Sequence, residues 1–522
     1  MSNLSPQIEA AKVVSPVTRS DQNITLAAKG GSILLSGKLF AYAARFITGI
    51  LLARFLAAEQ YGLYNLSLTV VEIAAGVAAL GLVPALVRYI PIYVSRRDEN
   101  RLWGIIQLGL GLPAVISIFL GVGLYIWANP IAEQLFDEPK LGPLLQLVSP
   151  VILFFTLVDM MAAATRGFKN MHYTVIAQDI VLSVVKFALL LGLAIFGLNA
   201  AGAVTVTSLA QVIVCGLLVF FLNKQFSLKR PLLLAHHEIK EVLRFSLPSY
   251  MSQLMSIFSG NIKTIMLGTL HSVATVGIFA VARQITLISD MFHASIVTVS
   301  QPIIAELSSR GEREQMGRLY RTMTRWSFTL NFPLFLIIML FPGAIISIFG
   351  QTFAEGVVVL KILAWAGLVN TGTGICGVLI DMSGNTHLKL VNTVTAIIAN
   401  IGLSLFMIPQ WGLVGAAVAT LTGAILMNLL RLLEVFVLFR LQPYDLKSLK
   451  PVAAGLITLT AVWSIHQFIL IETSLIQVSL KVLILLGLYG GMILLLGLSQ
   501  EDHLVITRLR KRINTVLPNT LR

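Results

Sequence analysis

The stretch Gly31–Tyr93, GSILLSGKLFAYAARFITGILLARFLAAEQYGLYNLSLTVVEIAAGVAALGLVPALVRYIPIY, decides how this chain reads. It holds two apolar runs, each long enough to cross a hydrocarbon core of ~30 Å, which takes about 20 helical residues. The short segment AAEQYG joins them into a transmembrane hairpin. The first run carries Lys38, Arg45 and Arg54 and no acid. A charge at the bilayer centre costs ~2.5 to 3.5 kcal/mol or more unless it faces a bundle interior or water, so cations placed there need a reason.

The hairpin has an echo further along. LARFLAAEQYGLYNLSLTVVEIA from Leu52 aligns with LGTLHSVATVGIFAVARQITLIS from Leu267, placing Gly62 on Gly277 and Tyr64 on Phe279 at a shift of 215 residues. GLNAAGAVTVTSLAQVIVCGLLVFFL from Gly197 resembles WGLVGAAVATLTGAILMNLLRLLEVFVL from Trp411, with Gly202 on Gly415 at a shift of 213. The chain therefore reads as two similar halves. With six helices in each, both halves enter the membrane from the same side, a parallel repeat about an axis along the membrane normal.

Composition agrees. The 522 residues are 56% hydrophobic and 12% charged, against ~45–50% apolar and ~25% charged in soluble domains. The expected fold class is an all-α membrane protein of 14 transmembrane helices: two pseudo-symmetric six-helix lobes plus a C-terminal two-helix hairpin. After the opening hairpin, spans are expected at about 102–127, 141–163, 174–197 and 201–222. The second half supplies 241–267, 275–300, 320–342, 355–380, 389–408 and 413–438, and two more runs follow at 451–470 and 476–498. The implied organisation is a cytoplasmic tail at 1–30, an N-lobe at 31–222, a cytoplasmic connector at 223–240, a C-lobe at 241–438, the hairpin at 439–498 and a basic cytoplasmic tail at 499–522.

Orientation follows from Lys and Arg in short loops. One set of loops holds Arg96, Arg97, Arg101, Arg166, Lys169, Lys224, Lys240, Arg310, Arg313, Arg318, Lys389, Arg440, Lys447 and Lys450, and both tails are basic too. The opposite loops hold Glu59, Glu133, Asp137, Glu138, Glu355 and Glu472 against Lys140. Both termini are expected in the cytoplasm. The net charge of +14 is then largely topology, which argues against nucleic acid as a partner. The first 30 residues lack the features of a cleaved secretory signal, so the first span is expected to act as its own insertion signal. Loops on the outer side are too short for a catalytic domain. Cys215 and Cys376 lie in apolar runs and form neither a disulfide framework nor a metal spacing.

Enzymatic chemistry finds little support. GGSILLSGKL departs from a P-loop because Ser32 stands five residues before Gly37 and Leu39 follows Lys38. With no metal or nucleophile motif either, no catalytic residue, metal or cofactor is expected, and any transport would draw on an ion gradient, the membrane potential or the gradient of the substrate.

The intramembrane charges carry more information. Lys38, Arg45, Arg54, Lys186, Lys263, Arg283, Lys361 and Arg431 stand against Glu72, Asp159, Asp179, Asp290 and Glu434. Some of these would neutralise one another, for example Arg45 with Glu72 or Asp179 with Lys186. The excess of cations is expected to line a wet, positively charged cavity awaiting an anion, and the planar fork of Arg suits phosphate. Lys38, Arg45, Lys186, Lys263 and Arg283 are the candidate substrate-binding residues, with Glu72, Asp179 and Asp290 as candidates for ion coupling. Trp365, Asn370, Asn392 and Asn400 are either sugar contacts or interhelical bridges. The basic segment Glu306–Arg325 reads as a solvated face at the inner leaflet, with capture of a substrate headgroup as the alternative.

Several segments together resemble one family: LLARFLAAEQYGLYNLSLTVVEIAAGVAALGLVPALVRYIP, TLHSVATVGIFAVARQITLI, the turns RGFKNMH and DMSGNTHLK, and GLVGAAVATLTGAILMNLLRL. They are similar to the polysaccharide transporter family, the O-antigen and exopolysaccharide flippases, whose superfamily also holds multidrug and toxin extruders and the lipid II flippase. The resemblance covers roughly residues 30–500. It implies a bacterial or archaeal inner-membrane protein with its lobes in a V. Such a protein turns a polyprenyl-diphosphate-linked oligosaccharide from the cytoplasmic to the periplasmic leaflet by alternating access, among membrane lipids and beside a polysaccharide polymerase and glycosyltransferases. The resemblance further implies that cavity cations hold the diphosphate, and that the last two helices lie against the second lobe and help hold the polyprenyl tail. The alternative is a cation-coupled multidrug or toxin extruder of the same superfamily, but organic cations call for acids where the first helix offers cations.

Overall fold

A computed structural model of the chain describes residues 16–195, 197–227, 231, 235–236, 238–384, 386–468 and 475–497, with side chains omitted for 16–39, 386, 462–463, 465–468 and 475–476. The described residues are helical almost throughout. The first half runs α1 (Pro16–Ala78), α2 (Leu82–Arg96), α3 (Glu99–Pro130), α4 (Leu141–Val148), α5 (Val151–Gly167), α6 (Met171–Thr174), α7 (Leu182–Ala194) and α8 (Ala200–Gln225). The second runs α9 (Ile239–Leu270), α10 (Val273–Ser309), α11 (Arg313–Leu340), α12 (Pro342–Ser347), α13 (Gly356–Thr373), α14 (Cys376–Met382) and α15 (Thr386–Phe439). A further pair, α16 (Leu449–Phe468) and α17 (Leu475–Leu495), packs together and against α11.

Among the described residues, nine helices are long and apolar enough to cross a membrane, or ten if the bent pair α4 and α5 is one span. The chain is thus an all-helical, multi-span membrane protein. Two of the nine, Phe40–Ala78 and His387–Phe439, are 39 and 53 residues long, well beyond one crossing. Each breaks at a single residue: Ala57 (φ 56°, ψ 179°) in α1 and Gly412 (φ 54°, ψ −127°) in α15. Where a turn AAEQYG was expected, the helix carries on through a one-residue kink.

A helix that breaks inside a membrane frees a carbonyl with no water to take it, and the cost must be met by protein donors. Side-chain donors help to meet it at two breaks. Gly412 has left helical geometry, so the Ile408 carbonyl loses its usual donor, and His271 Nε2 donates to it at 3.0 Å. At the break at Leu80 and Gly81 (φ 47° and 66°), the Val77 carbonyl accepts a long bond from Leu80 N at 3.4 Å and a shorter one from Tyr250 Oη at 3.0 Å. At Gly374 (φ 64°), between α13 and α14, the Thr373 hydroxyl donates to Asn428 Oδ1 at 2.6 Å and ties the break to α15. A single helix was expected at 355–380; the two pieces part at Gly374, a position that only glycine fits because its φ is positive and a Cβ would lie 2.0 Å from Thr324 Oγ1.

Three apolar clusters hold the helices. One is drawn from the first half, with Leu86, Ile106, Met160 and Leu218 all buried. Another belongs to the second half, around Tyr320, Ile304, Leu379 and Val435. The largest joins the halves, bringing Leu56, Leu66 and Val71 of α1 to Val276 and Phe279 of α10 and to Phe349 and Phe353 beyond α12.

The seam between α1 and α10 is reciprocal. A Cβ on Gly62 would lie 1.8 Å from the Val273 carbonyl oxygen, and one on Gly277 would lie 2.1 Å from that of Ala58. Gly62 and Gly277 are 215 residues apart, and so are Ala58 and Val273. The two repeat markers therefore touch across the seam, each resting on the other copy's helix start. Glycine is required at both because the backbones pass too close for any side chain. At the same end Arg54 Nε reaches the Ile348 carbonyl at 2.7 Å, and Lys140 pairs with Glu59 at 2.7 Å. That hydrogen bond to the Glu59 carboxylate raises the Lys140 pKa. The pair therefore persists at neutral pH and is lost as pH rises through the elevated lysine value.

Candidate functional site: a cationic cavity between the halves

Away from the glycine seam, α1 and α10 diverge and leave a cavity of about 810 Å³. Its wall comes from both limbs of α1, from α7, and from α9 and α10, so its two sides belong to the two halves of the sequence. Four of the expected charged residues share it: Arg45, Glu72, Lys186 and Arg283. Three cations thus face one carboxylate.

Two of the cations, Lys186 and Arg283, are held by neutral groups. Lys186 Nζ donates to Tyr64 Oη at 2.7 Å and lies 5.4 Å from that ring's centre, while the Tyr64 hydroxyl also meets Thr207 Oγ1 at 3.1 Å. Arg283 Nη1 reaches the Gly260 carbonyl at 3.3 Å. Among the described residues, none of Arg45, Lys186 and Arg283 has a carboxylate oxygen within 4.0 Å. Neither neutralising pair weighed from the sequence, Arg45 with Glu72 or Asp179 with Lys186, is among the ion pairs of the described residues; Glu72 lies instead within electrostatic range of Arg283 and Lys186.

The remaining expected residues sit elsewhere. Lys263 is buried, its amine bonded to Asn400 Oδ1, and Asn400 Nδ2 donates to the Ser259 carbonyl and hydroxyl at 2.7 Å. It is not on the cavity wall, although its neighbour Thr264 is. Asp290 lies on α10 between wall residues Ile288 and Met291 without lining the cavity, and Asp179 lies in the π-helical turn before α7, also off the wall. The Lys38 side chain lies outside the described residues. Asn370 and Asn392 line a second cavity of about 380 Å³, inside the second half. There Asn428 Nδ2 donates to Asn370 Oδ1 at 2.7 Å and Asn392 Nδ2 to Glu434 Oε2 at 2.6 Å, so these amides bridge helices. Trp365 packs edge-on against Phe335.

Reasoning from charge alone missed the residues that set the cavity's shape. Gln284 Nε2 donates to the carbonyls of Arg45 and Phe46 at 3.2 Å, and its Oε1 accepts from Tyr61 at 3.0 Å. Its amide fills the notch at Gly49, where a Cβ would lie 1.7 Å from Nε2. One side chain therefore ties both limbs of α1 to α10. The available signal was a lone amide beside Arg283 in an apolar helix.

Comparison with known proteins places this arrangement. The family model described as polysaccharide biosynthesis protein matches residues 27–308, more than half of the chain. The chain belongs to the polysaccharide biosynthesis protein family. A second model, MatE, matches residues 248–406. Among curated relatives, a probable low-salt glycan biosynthesis flippase of Haloferax volcanii, Agl15, is 27% identical over 37% of this chain and 41% of its own length. An uncharacterised membrane protein of Methanocaldococcus jannaschii is 22% identical over 89% of this chain and 94% of its own. Among solved structures, the lipid II flippase MurJ in an inward closed conformation superposes with a TM-score of 0.70 at 14% identity, over 88% of this chain and 98% of its own. The chain has the fold of MurJ and of the MATE transporters.

Proposed function

We propose that this transporter is a flippase for a polyprenyl-diphosphate-linked oligosaccharide, an O-antigen or exopolysaccharide repeat unit. The observation that carries the reading is the excess of Arg45, Lys186 and Arg283 over Glu72 in the cavity between the halves. A surplus of cations at membrane depth is costly unless an anion completes it, and a diphosphate has the charge and oxygens for two Arg forks and an ammonium. The glycan would occupy the rest of the cavity while the lipid stays in the bilayer. That relatives of this family include proteins named as glycan flippases supports the same class of substrate.

The wider organisation fits. Counted at the kinks of α1 and α15, and with α9 and α16 included, the chain makes fourteen passes: two six-helix lobes, 31–222 and 241–438, and the hairpin 439–498. The basic loops place both termini in the cytoplasm. The glycine seam would then close the periplasmic end and the cavity would face the cytoplasm, the state that loads substrate, in the inner membrane of a bacterium or archaeon. Lys263 would meet the substrate only in another state of the cycle, Lys38 is a further candidate contact, and Glu72, Asp179 and Asp290 remain candidates for ion coupling. The polymerase and glycosyltransferases would act on either side of the step. An extruder of organic cations would repel its cargo from this wall.

The test is export in cells lacking the chain. Wild type should clear lipid-linked oligosaccharide from the cytoplasmic leaflet, and Arg45→Ala with Arg283→Ala should leave it there at unchanged protein level. Normal export by that double variant refutes the reading, and resistance to cationic drugs conferred by the wild type would favour the extruder.

A further inference from the structure

The pair α16 and α17 stands outside the internal repeat, and where it meets α11 it leaves a groove of about 280 Å³. The groove has two kinds of wall. Its apolar side includes Trp326 and Leu330 of α11 and Ile493 of α17, and its other side carries Arg325, Lys447 and Lys450. Among the described residues, no acidic one lines it. The nearest acid in sequence, Asp445, is committed elsewhere: it accepts from the Ser448 backbone at 2.9 Å and its hydroxyl at 2.8 Å in a capping box.

The basic groups are placed rather than scattered. Arg325 is only 8% exposed although it is charged. Lys450 Nζ donates to the carbonyl of Gly497, just past the end of α17, at 2.6 Å, which anchors the ammonium and leaves two N–H groups for an anion. Lys447 is exposed and has no side-chain partner among the described residues. An indole beside a cluster of Lys and Arg marks the depth of lipid headgroups, and basic pockets between membrane helices suit anionic lipids.

We propose that this groove holds an anionic phospholipid, its phosphate against Lys447 and Lys450 and one acyl chain along Trp326, Leu330 and Ile493. Charge complementarity selects the occupant: a zwitterionic lipid would bring a compensating cation to an already positive rim, and a second copy of this chain would bring like charge. The volume admits a section of one chain, so the rest of the lipid lies in the bilayer. A lipid seated here would pin α16 and α17 to α11. The proposal does not depend on what the central cavity carries.

The full chain, purified in neutral detergent, is titrated with phosphatidylglycerol and with phosphatidylcholine of the same chain length, and bound lipid is counted by native mass spectrometry. Phosphatidylglycerol is expected to bind at least tenfold more tightly, with one equivalent lost when Lys447→Glu is combined with Lys450→Gln. Leu330→Trp fills the groove without a change of charge and should expel the same equivalent. Should the lysine pair fail to yield monodisperse protein, Lys447→Gln with Leu330→Trp decides. Equal binding of the two lipids to wild type, or an unchanged count in the variants, overturns the proposal. So does displacement of that equivalent by sugar-free polyprenyl phosphate at matching concentration, which would make the groove a seat for the substrate's tail.

Discussion

Lys186 rests beneath Tyr64 with its amine 2.7 Å from a phenol oxygen that Thr207 also engages. Neutral dipoles fix the position of the charge without cancelling it, which a carboxylate would have done, so its field remains available to a ligand. Hydrogen bonds to charged groups contribute about 1.5 to 3 kcal/mol. Lys186→Met or Arg283→Ala alone should therefore weaken binding of polyprenyl diphosphate roughly 10- to 100-fold, measured by titration of the purified protein, with no drop in melting temperature. Lys263 behaves in the opposite way. It is buried on Asn400, and removing that partner strands a charge. Asn400→Ala should destabilise the fold by about 1 to 3 kcal/mol, seen as a lower melting temperature, and Lys263→Met in the same chain should restore most of the loss. A stable Asn400→Ala protein would mean that water reaches Lys263.

At the scale of elements, the seam between α1 and α10 depends on two glycines whose hypothetical Cβ atoms fall 1.8 and 2.1 Å from opposing carbonyls. Overpacking of this kind costs ~1 to 3 kcal/mol. Gly62→Ala and Gly277→Ala should each lower the melting temperature, and because they open the same contact, the double variant should lose less than the two losses added together. Strict additivity in thermal unfolding would show that the two contacts give way independently. The helix breaks obey a related rule: Ile408 and Val77 each present a carbonyl that a side chain meets. His271→Ala should accordingly destabilise the chain more than the loss of an exposed imidazole would.

For the molecule as a whole, the cavity and the seam are two ends of one interface, so transport by alternating access requires the seam to part. A short bis-methanethiosulfonate crosslinker between Arg54→Cys and Ile348→Cys, where the native guanidinium spans 2.7 Å to the backbone, should stop lipid-linked oligosaccharide export, while either cysteine alone should not. Cys215 and Cys376 are buried, so the background is quiet. Unimpaired export by the crosslinked protein would rule out opening at this seam.

Much of this was legible in the sequence. The lengths of the apolar runs determined a multi-span helical membrane protein, because a bilayer admits few other solutions. The alignment of Gly62 with Gly277 determined that the chain repeats itself, and the cost of charge in hydrocarbon singled out Lys38, Arg45, Lys186, Lys263 and Arg283. Only the tertiary structure decided which cations share a cavity: Lys263 and Lys186 look alike in an apolar run, yet one turns to Asn400 and the other faces the space between the halves. The rotation of each helix about its axis is set by packing against partners hundreds of residues away, and a local pattern of polar and apolar side chains carries no record of it.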